Sequence, residues 1–477
     1  MKSTFHSTAL FAALLVTGCA SVGPDYHAPK ERPVTLQGGG PAQRTGVDFE
    51  VQWWKQFGDP TLDSLIARAA KGSPDLRIAV ARLNQARAAL GTAQSQQVPD
   101  IEPGVSYSRS REQQRGSAYQ PVTTSAYQAG FDASWELDLF GGIRRSVEAA
   151  RADAGAGEAS LQDVQVTLFA EVARNYFYLR GTQLRIDVAK RDITNQQDSL
   201  KVIAARVEVG TGAEQDLASA KARLTAVEAQ LPVFETQVQA YQFRIAVLLG
   251  ARPGELDVDL SPASFKPIFV SLAIGGADEV LQRRPDIRIA ERQLAAANAR
   301  IGVAKADYFP HITLGGFVGF LAGRSNDFGG ADSRAWSLAP SISWPGLNVE
   351  RVAAGVKGAR ARAEEAEANY DRTVLTALED VDNSLVGFNQ QRIRVEKLII
   401  QATESRRAAE LAKLRYEAGR TDFLELLDAE RTQLSAEDQL AEAEADINTR
   451  AVSLYKALGG GWQACGDGAC SGVAKVP

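Results

Sequence analysis

Histidine is nearly absent, with three in 477 residues. His6 and His27 lie near the N-terminus, so a histidine-rich metal site or a Ser-His-Asp machine would rest on His311 alone. There is no G-x-x-x-x-G-K loop and no strand-borne G-x-G-x-x-G, the two common phosphate cradles. A basic excess is also missing. The net charge of −5 gives no electrostatic footprint for nucleic acid. Proline is absent from Val122 to Leu231 and again from Gly346 to Val476, so nothing there forbids very long helices. What is present is an ordinary folded composition, 45% hydrophobic and 23% charged. No constellation for an enzyme, a cofactor or a metal site emerges.

Cysteine is scarce as well, three in all. The first follows a short apolar run, Ala9 to Val16, preceded by Lys2 and closed by Thr17-Gly18-Cys19. Eight apolar residues fall far short of the roughly 20 that a spanning helix needs. The segment 1–18 therefore reads as a removable signal peptide. Small residues before Cys19 resemble a bacterial lipoprotein box, which implies an acylated Cys19. Ala20 in place of Asp implies, by the same resemblance, the outer membrane. Cys465 and Cys470 sit in a Gly-rich tail, 461–477, where a small disulfide or free thiols are expected.

The chain repeats itself. Pro74-Asp75-Leu76-Arg77-Ile78-Ala79 returns as Pro285-Asp286-Ile287-Arg288-Ile289-Ala290, a shift of 211. Trp135 and Trp344, Arg206 and Arg415, Gly210 and Gly419, and Leu249-Gly250 and Leu458-Gly459 are related by 209. So small a change of shift over so long a span argues for duplication. The expected division is an extended N-terminal segment 19–60, a first repeat 61–250, a connector 251–284 and a second repeat 285–460. Within each repeat the order is helix, two strands and a long helical hairpin. Leu161, Val164, Leu168, Val172, Tyr176 and Leu179, three or four apart, give the stripe of a packed helix. If unbroken, the helix from Arg144 to Glu208 reaches roughly 100 Å. Gly210 and Gly212 end it, and Gly419 ends its counterpart. Thr211 with Glu214, and Asp422 with Glu425, have the spacing of capping boxes.

The strands carry the chemistry. Tyr127, Ala129, Phe131, Ala133, Trp135, Leu137 and Leu139 alternate with Gln128, Gly130, Asp132, Ser134, Glu136 and Asp138. Trp336, Leu338, Pro340, Ile342 and Trp344 alternate with Ser337, Ala339, Ser341 and Ser343. Strands are expected within about 103–138 and 311–345, each near the 9–11 residues that cross a bilayer when tilted. Four strands do not close, and an open edge is not viable in lipid. Closure by sister subunits then gives eight, twelve or sixteen strands for two, three or four copies. Asp132, Glu136 and Asp138 would face a wet lumen. Tyr127, Trp135, Trp336 and Trp344 would form an aromatic girdle.

Phe57-Gly58-Asp59-Pro60, Trp135-Glu136-Leu137-Asp138-Leu139-Phe140-Gly141, Arg284-Pro285-Asp286-Ile287, Ala296-Ala297-Asn298-Ala299, Tyr308-Phe309-Pro310 and Leu454-Tyr455-Lys456-Ala457-Leu458-Gly459-Gly460-Gly461-Trp462 occur in order along the chain. They resemble the TolC-like outer-membrane factors of tripartite efflux pumps, more closely their lipoprotein, NodT-like branch. The resemblance implies a mainly α protein with membrane β-structure. Its homotrimer would form a twelve-stranded β-barrel, four strands per protomer, continued by a long α-helical periplasmic barrel with a mixed equatorial belt. The implied partners are a periplasmic membrane-fusion adaptor, an inner-membrane efflux transporter of RND type, and outer-membrane lipid.

By the same resemblance, the tips at Val209–Ala213 and Ala418–Asp422 form a periplasmic gate. The matching positions are Asp216, Tyr416, Arg420, Thr421, Glu425 and Asp428, with Arg431 or Arg420 as the basic partner. A threefold axis would set each of Asp216, Glu425 and Asp428 beside two copies of itself and attract cations. The expected function is a passive, gated exit duct that performs no covalent chemistry. A duct for type I protein secretion and a non-transporting periplasmic spacer are the alternatives.

Overall fold

The computed structural model describes residues 21–29, 36, 43–44, 51–113, 121–269, 272–273 and 281–466. The signal peptide, Cys19 and Cys470 lie outside the described residues. Two compact units are present, and they cut across the two halves of the sequence. One takes Arg82–Glu158 and Ile289–Arg372 together with residues 21–29; the other takes the rest of the described chain.

The first unit holds a four-stranded antiparallel sheet, β1 (Asp100–Gln113), β2 (Pro121–Leu137), β3 (His311–Ala322) and β4 (Arg334–Ser343), in that spatial order. The first hairpin, with strands of 14 and 17 residues, is longer than the ten or so read from the alternation. Register sorts the side chains cleanly. Phe131 stands opposite Pro103 and Val318, and Val318 opposite Trp336. On the other face Asp132 stands opposite Glu102 and Phe317, and Phe317 opposite Ser337. Phe317 is the aromatic exception on the polar face, and Gly130 and Gly319 make room for its ring. β1 and β4 are paired on one side only, so both sheet edges are open.

The second unit is helical. α1 (Pro60–Gly72) begins at Asp59, whose carboxylate accepts from the Thr61 and Leu62 amides, and Gly58 supplies the left-handed residue before it (φ 62°). Its core is aromatic. Trp53 stacks on Tyr455 at 5.3 Å, Trp54 meets Phe169 edge-on, and Phe57 packs on Phe177. The Tyr176 hydroxyl donates to Asp59, and burial pushes that phenol up to about 12.

α2 (Pro74–Ser95) leads into the sheet, and α3 (Gly142–Glu208) runs 67 residues without a break through Gly155, Gly157 and Gly181. Gly181 is there because Ala445 presses against it, leaving no room for a Cβ. The return is split into α4 (Glu214–Glu228) and α5 (Leu231–Leu249). Pro232 sits in the first turn of α5, the one place in a helix that tolerates a missing N–H. In the second half α6 (Pro285–Ala306) is followed by β3 and β4, then α7 (Val349–Glu417) of 69 residues and an unbroken α8 (Phe423–Ala457). Among the described residues no helix is long and apolar enough to cross a membrane.

Candidate functional site

The apolar face of the sheet is left bare. Val105, Phe131, Val318, Trp336, Leu338 and Ile342 are between 55% and 85% exposed, a condition costly in water and natural in lipid. Tyr107 and Tyr127 pack across β1 and β2 near the loop end with their rings tilted (4.7 Å), and Phe328 lies beside Tyr127. Trp135 and Trp344 lie at the helix-bearing end. Eight residues separate Tyr127 from Trp135, about 27 Å along a strand, against an apolar band of about 25 Å in membrane barrels. The two tryptophans also do something the sequence does not announce. The indole of Trp135 donates to the Gln97 carbonyl at 3.3 Å, and that of Trp344 to the Tyr308 carbonyl at 3.0 Å. Each ties a strand to the end of the helix preceding its hairpin. Trp336, two rows from the loop end beside Val318, is 80% exposed. His311 lies on the polar face, its Nδ1 2.6 Å from Glu136. Asp138 caps α3 instead of facing open space, accepting from the Ile143 and Arg144 amides.

The two hairpin turns meet in the helical unit. Gly210 (φ 73°) and Gly419 (φ 67°) take the left-handed conformation at equivalent places, whereas Gly212 is needed because a Cβ would strike the backbone of Arg206 and Val207. Thr211 does not cap α4, as its spacing with Glu214 predicts. Its hydroxyl donates to the Arg206 carbonyl and closes α3, and Ala213 occupies the cap without a side-chain bond. Asp422 does cap α8, accepting from the Glu425 amide at 2.9 Å. The Glu425 carboxylate turns instead to Arg415 (3.3 Å) and to the Thr421 hydroxyl.

Tyr416 is buried with Ile203, Ala220, Ala412, Phe423 and Leu426. Arg206, from the other hairpin, lays its guanidinium 4.2 Å over the Tyr416 ring and donates to the Tyr416 carbonyl at 3.0 Å. Sequence reasoning missed Arg206 as a site residue. The signal was its repeat partner Arg415, the basic residue in the last turn of the equivalent helix. Asp428 pairs with Arg431 one turn along its own helix (2.6 Å). Asp216 sits in the first turn of α4, where the helix dipole favours an acid. Asp216 and Arg420 take part in none of these contacts.

Nearer the middle of the helices lies a second charged cluster around a cleft of about 520 Å³. Glu430 of α8 is buried and accepts from Gln196 and Ser199 of α3, each at 3.1 Å. Burial pushes its carboxyl above the usual range and Asp192 adds to the shift, while the hydrogen bonds from Ser199 and Gln196 and the positive charge of Lys413 oppose it. Asp192 is likewise raised by burial, against the pull of Arg223 at 3.9 Å. Glu437 is held by Arg406 at 2.8 Å. Among the described residues no group of His, Cys, Asp and Glu is arranged to hold a metal ion.

A bare apolar sheet joined to helices of this length is matched in known proteins. The sequence matches the outer membrane efflux protein family over residues 65–251 and 276–460. The chain belongs to that family. It is 34% identical to a pyoverdine export outer membrane protein, OpmQ, of Pseudomonas putida, over 87% of this chain and 89% of the relative. It is 28% identical to nodulation protein T of Rhizobium leguminosarum bv. trifolii, over 97% and 98%. Its fold superposes on the solved outer-membrane channel OprN with a TM-score of 0.90 at 44% identity, covering 93% of this chain and all of that one. As an outer membrane efflux protein it works in the outer membrane, extends into the periplasm and serves as the outer-membrane component of an efflux pump.

Proposed function

We propose that three copies close one twelve-stranded barrel and one helical tunnel, forming a passive duct gated at the hairpin tips. The observation that carries this reading is the four-stranded sheet with a bare apolar face and two open edges. A strand edge in lipid has no water to satisfy it, so β4 of one protomer must pair with β1 of the next. α7 adds a second unpartnered surface. Leu375, Val386, Ile393, Ile400, Leu411 and Leu414 are exposed and spaced by elevens, sevens and a three, which keeps them on one face of the helix. The duplication has support of its own. Trp135 and Trp344, 209 apart, bond to Gln97 and Tyr308, 211 apart. A Cβ on Gly250 would strike Gly72 and Pro74, and one on Gly459 would strike Arg284, the residue before Pro285.

Lipidation at Cys19 fits the strap that follows it. The Val22 amide donates to the Phe140 carbonyl at 3.0 Å, Arg145 pairs with Asp25 at 2.7 Å, and the Tyr26 hydroxyl donates to Glu291 at 2.6 Å. The chain is thereby fixed beside the helix-bearing end of the strands, where an acyl anchor enters the periplasmic leaflet. At the tip, Arg206 on Tyr416 holds the two hairpins of a protomer together. Asp216, Glu425 and Asp428 meet their copies around the axis, with Arg420 and Arg431 as neighbours. A periplasmic adaptor and an RND-type transporter dock there and supply the work. The mass of the detergent-solubilised protein tests the assembly. Three protomers are expected, and a stable monomer or dimer with protected strand amides defeats the reading. Conductance in planar bilayers tests the gate: Tyr416→Phe with Asp428→Ala leaks, and a closed-state current equal to wild type refutes it.

A further inference from the structure

Charge on the described strands is sorted by face. Every carboxylate, namely Asp100, Glu102, Glu112, Asp132 and Glu136, lies on the polar face. Every arginine, namely Arg109, Arg111 and Arg334, lies on the apolar one. Arginine is the costliest choice for a lipid-facing position except at the interface, where its long stem lets the head reach polar groups. Arg109 and Arg111 occupy the two outward rows just beyond the Tyr107–Tyr127 pair, opposite Ser125 and Thr123. The loop end of the strands thus carries, in order, an apolar band, an aromatic row, and a cap of two guanidiniums faced by two hydroxyls. No acid of the described strands shares that face to neutralise them. Below the cap the same face holds a groove of about 790 Å³ between Val105, Ala129, Phe131, Phe320 and Trp336, with Arg334 at its rim. That volume lies within the range of small-ligand sites, about 300–1,000 Å³.

We propose that this surface binds a phosphorylated glycolipid of the outer leaflet. Arg109 and Arg111, with Thr123 and Ser125, take its phosphates, and the groove beside Arg334 takes one acyl chain. The inference rests on the trimeric barrel proposed above. The position of the cap selects the leaflet, because it lies at the loop end, away from the helices that enter the periplasm. The number of guanidiniums selects the headgroup. Two arginines two residues apart on one strand stand about 7 Å apart, and guanidinium pairs with phosphate through two parallel hydrogen bonds. Two such forks match a headgroup with two phosphates better than the single phosphodiester of a glycerophospholipid.

Native mass spectrometry of the purified full-length protein, titrated with diphosphoryl lipid A, monophosphoryl lipid A or phosphatidylglycerol, tests this. The diphosphoryl lipid is expected to bind at least about tenfold more tightly than phosphatidylglycerol, with the monophosphoryl form between them. R109Q/R111Q should erase the preference, and E102Q, on the opposite face, should keep it. Equal binding of all three lipids by a trimer, or full preference in R109Q/R111Q, overturns the proposal alone. A protein that is not trimeric overturns both it and the reading on which it rests.

Discussion

Arg206 is half-buried at the end of a long helix and performs two tasks with one side chain. Its guanidinium covers the Tyr416 ring and donates to the Tyr416 carbonyl, so it joins the first hairpin to the second. A partly desolvated cation–π contact contributes about 0.5–2 kcal/mol. Arg206→Ala is therefore expected to raise closed-state conductance more than Asp428→Ala, whose ion pair is exposed and lies within one helix. Exposed pairs of that kind contribute about 0.3–0.5 kcal/mol. Single-channel recording of the two variants decides the order. Glu430 makes a second, pH-dependent prediction. Its carboxyl is raised by burial, so the neutral form suits the folded protein, and its stabilising contribution is full below the ordinary value of 4.5 and lost as pH rises through the raised one. Glu430→Gln should raise the melting temperature at pH 7.5 and change it little at pH 4. Neither residue stood out in the sequence, because an arginine or a glutamate within a charged helix looks like any solvated one until its neighbours from distant segments are known.

At the scale of elements, the period-two alternation and the glycine punctuation were readable because each reflects a local backbone rule. The unbroken α3 was readable for the same reason, since proline is absent throughout it. What the sequence could not say is why Gly181 stands in its middle. The answer is Ala445, on another helix, 264 positions away. Gly181→Ala should cost about 1–3 kcal/mol by overpacking, and Ala445→Gly in the same chain should recover most of it, as thermal unfolding of the two single variants and the double will show. Thr211 teaches the converse lesson. Its spacing fits a cap, yet the hydroxyl found a nearer carbonyl at the end of α3.

For the whole molecule, the sorting of the sheet into two faces fixes what each substitution does. Phe131→Arg places a charge mid-band on the lipid side, at a cost of about 2–4 kcal/mol per copy. Ser134→Arg adds the same charge to the polar face. Fractionation of cells expressing each variant should find the first depleted from the outer membrane and the second retained there. The family match and the fold likeness to OprN place this chain among efflux channels. On the reading proposed above, the side chains of its own strands and tips set how it holds in the membrane and how it shuts.

The sequence by itself determined the helices, the alternating strands and the places where the chain turns, because periodicity and backbone freedom act over a few residues. Only the tertiary structure decided that Arg206 clasps Tyr416, that Glu430 is buried, and that the tryptophans anchor strand to helix. Those outcomes depend on contacts between residues tens to hundreds of positions apart, and nothing in a local pattern encodes such a distance.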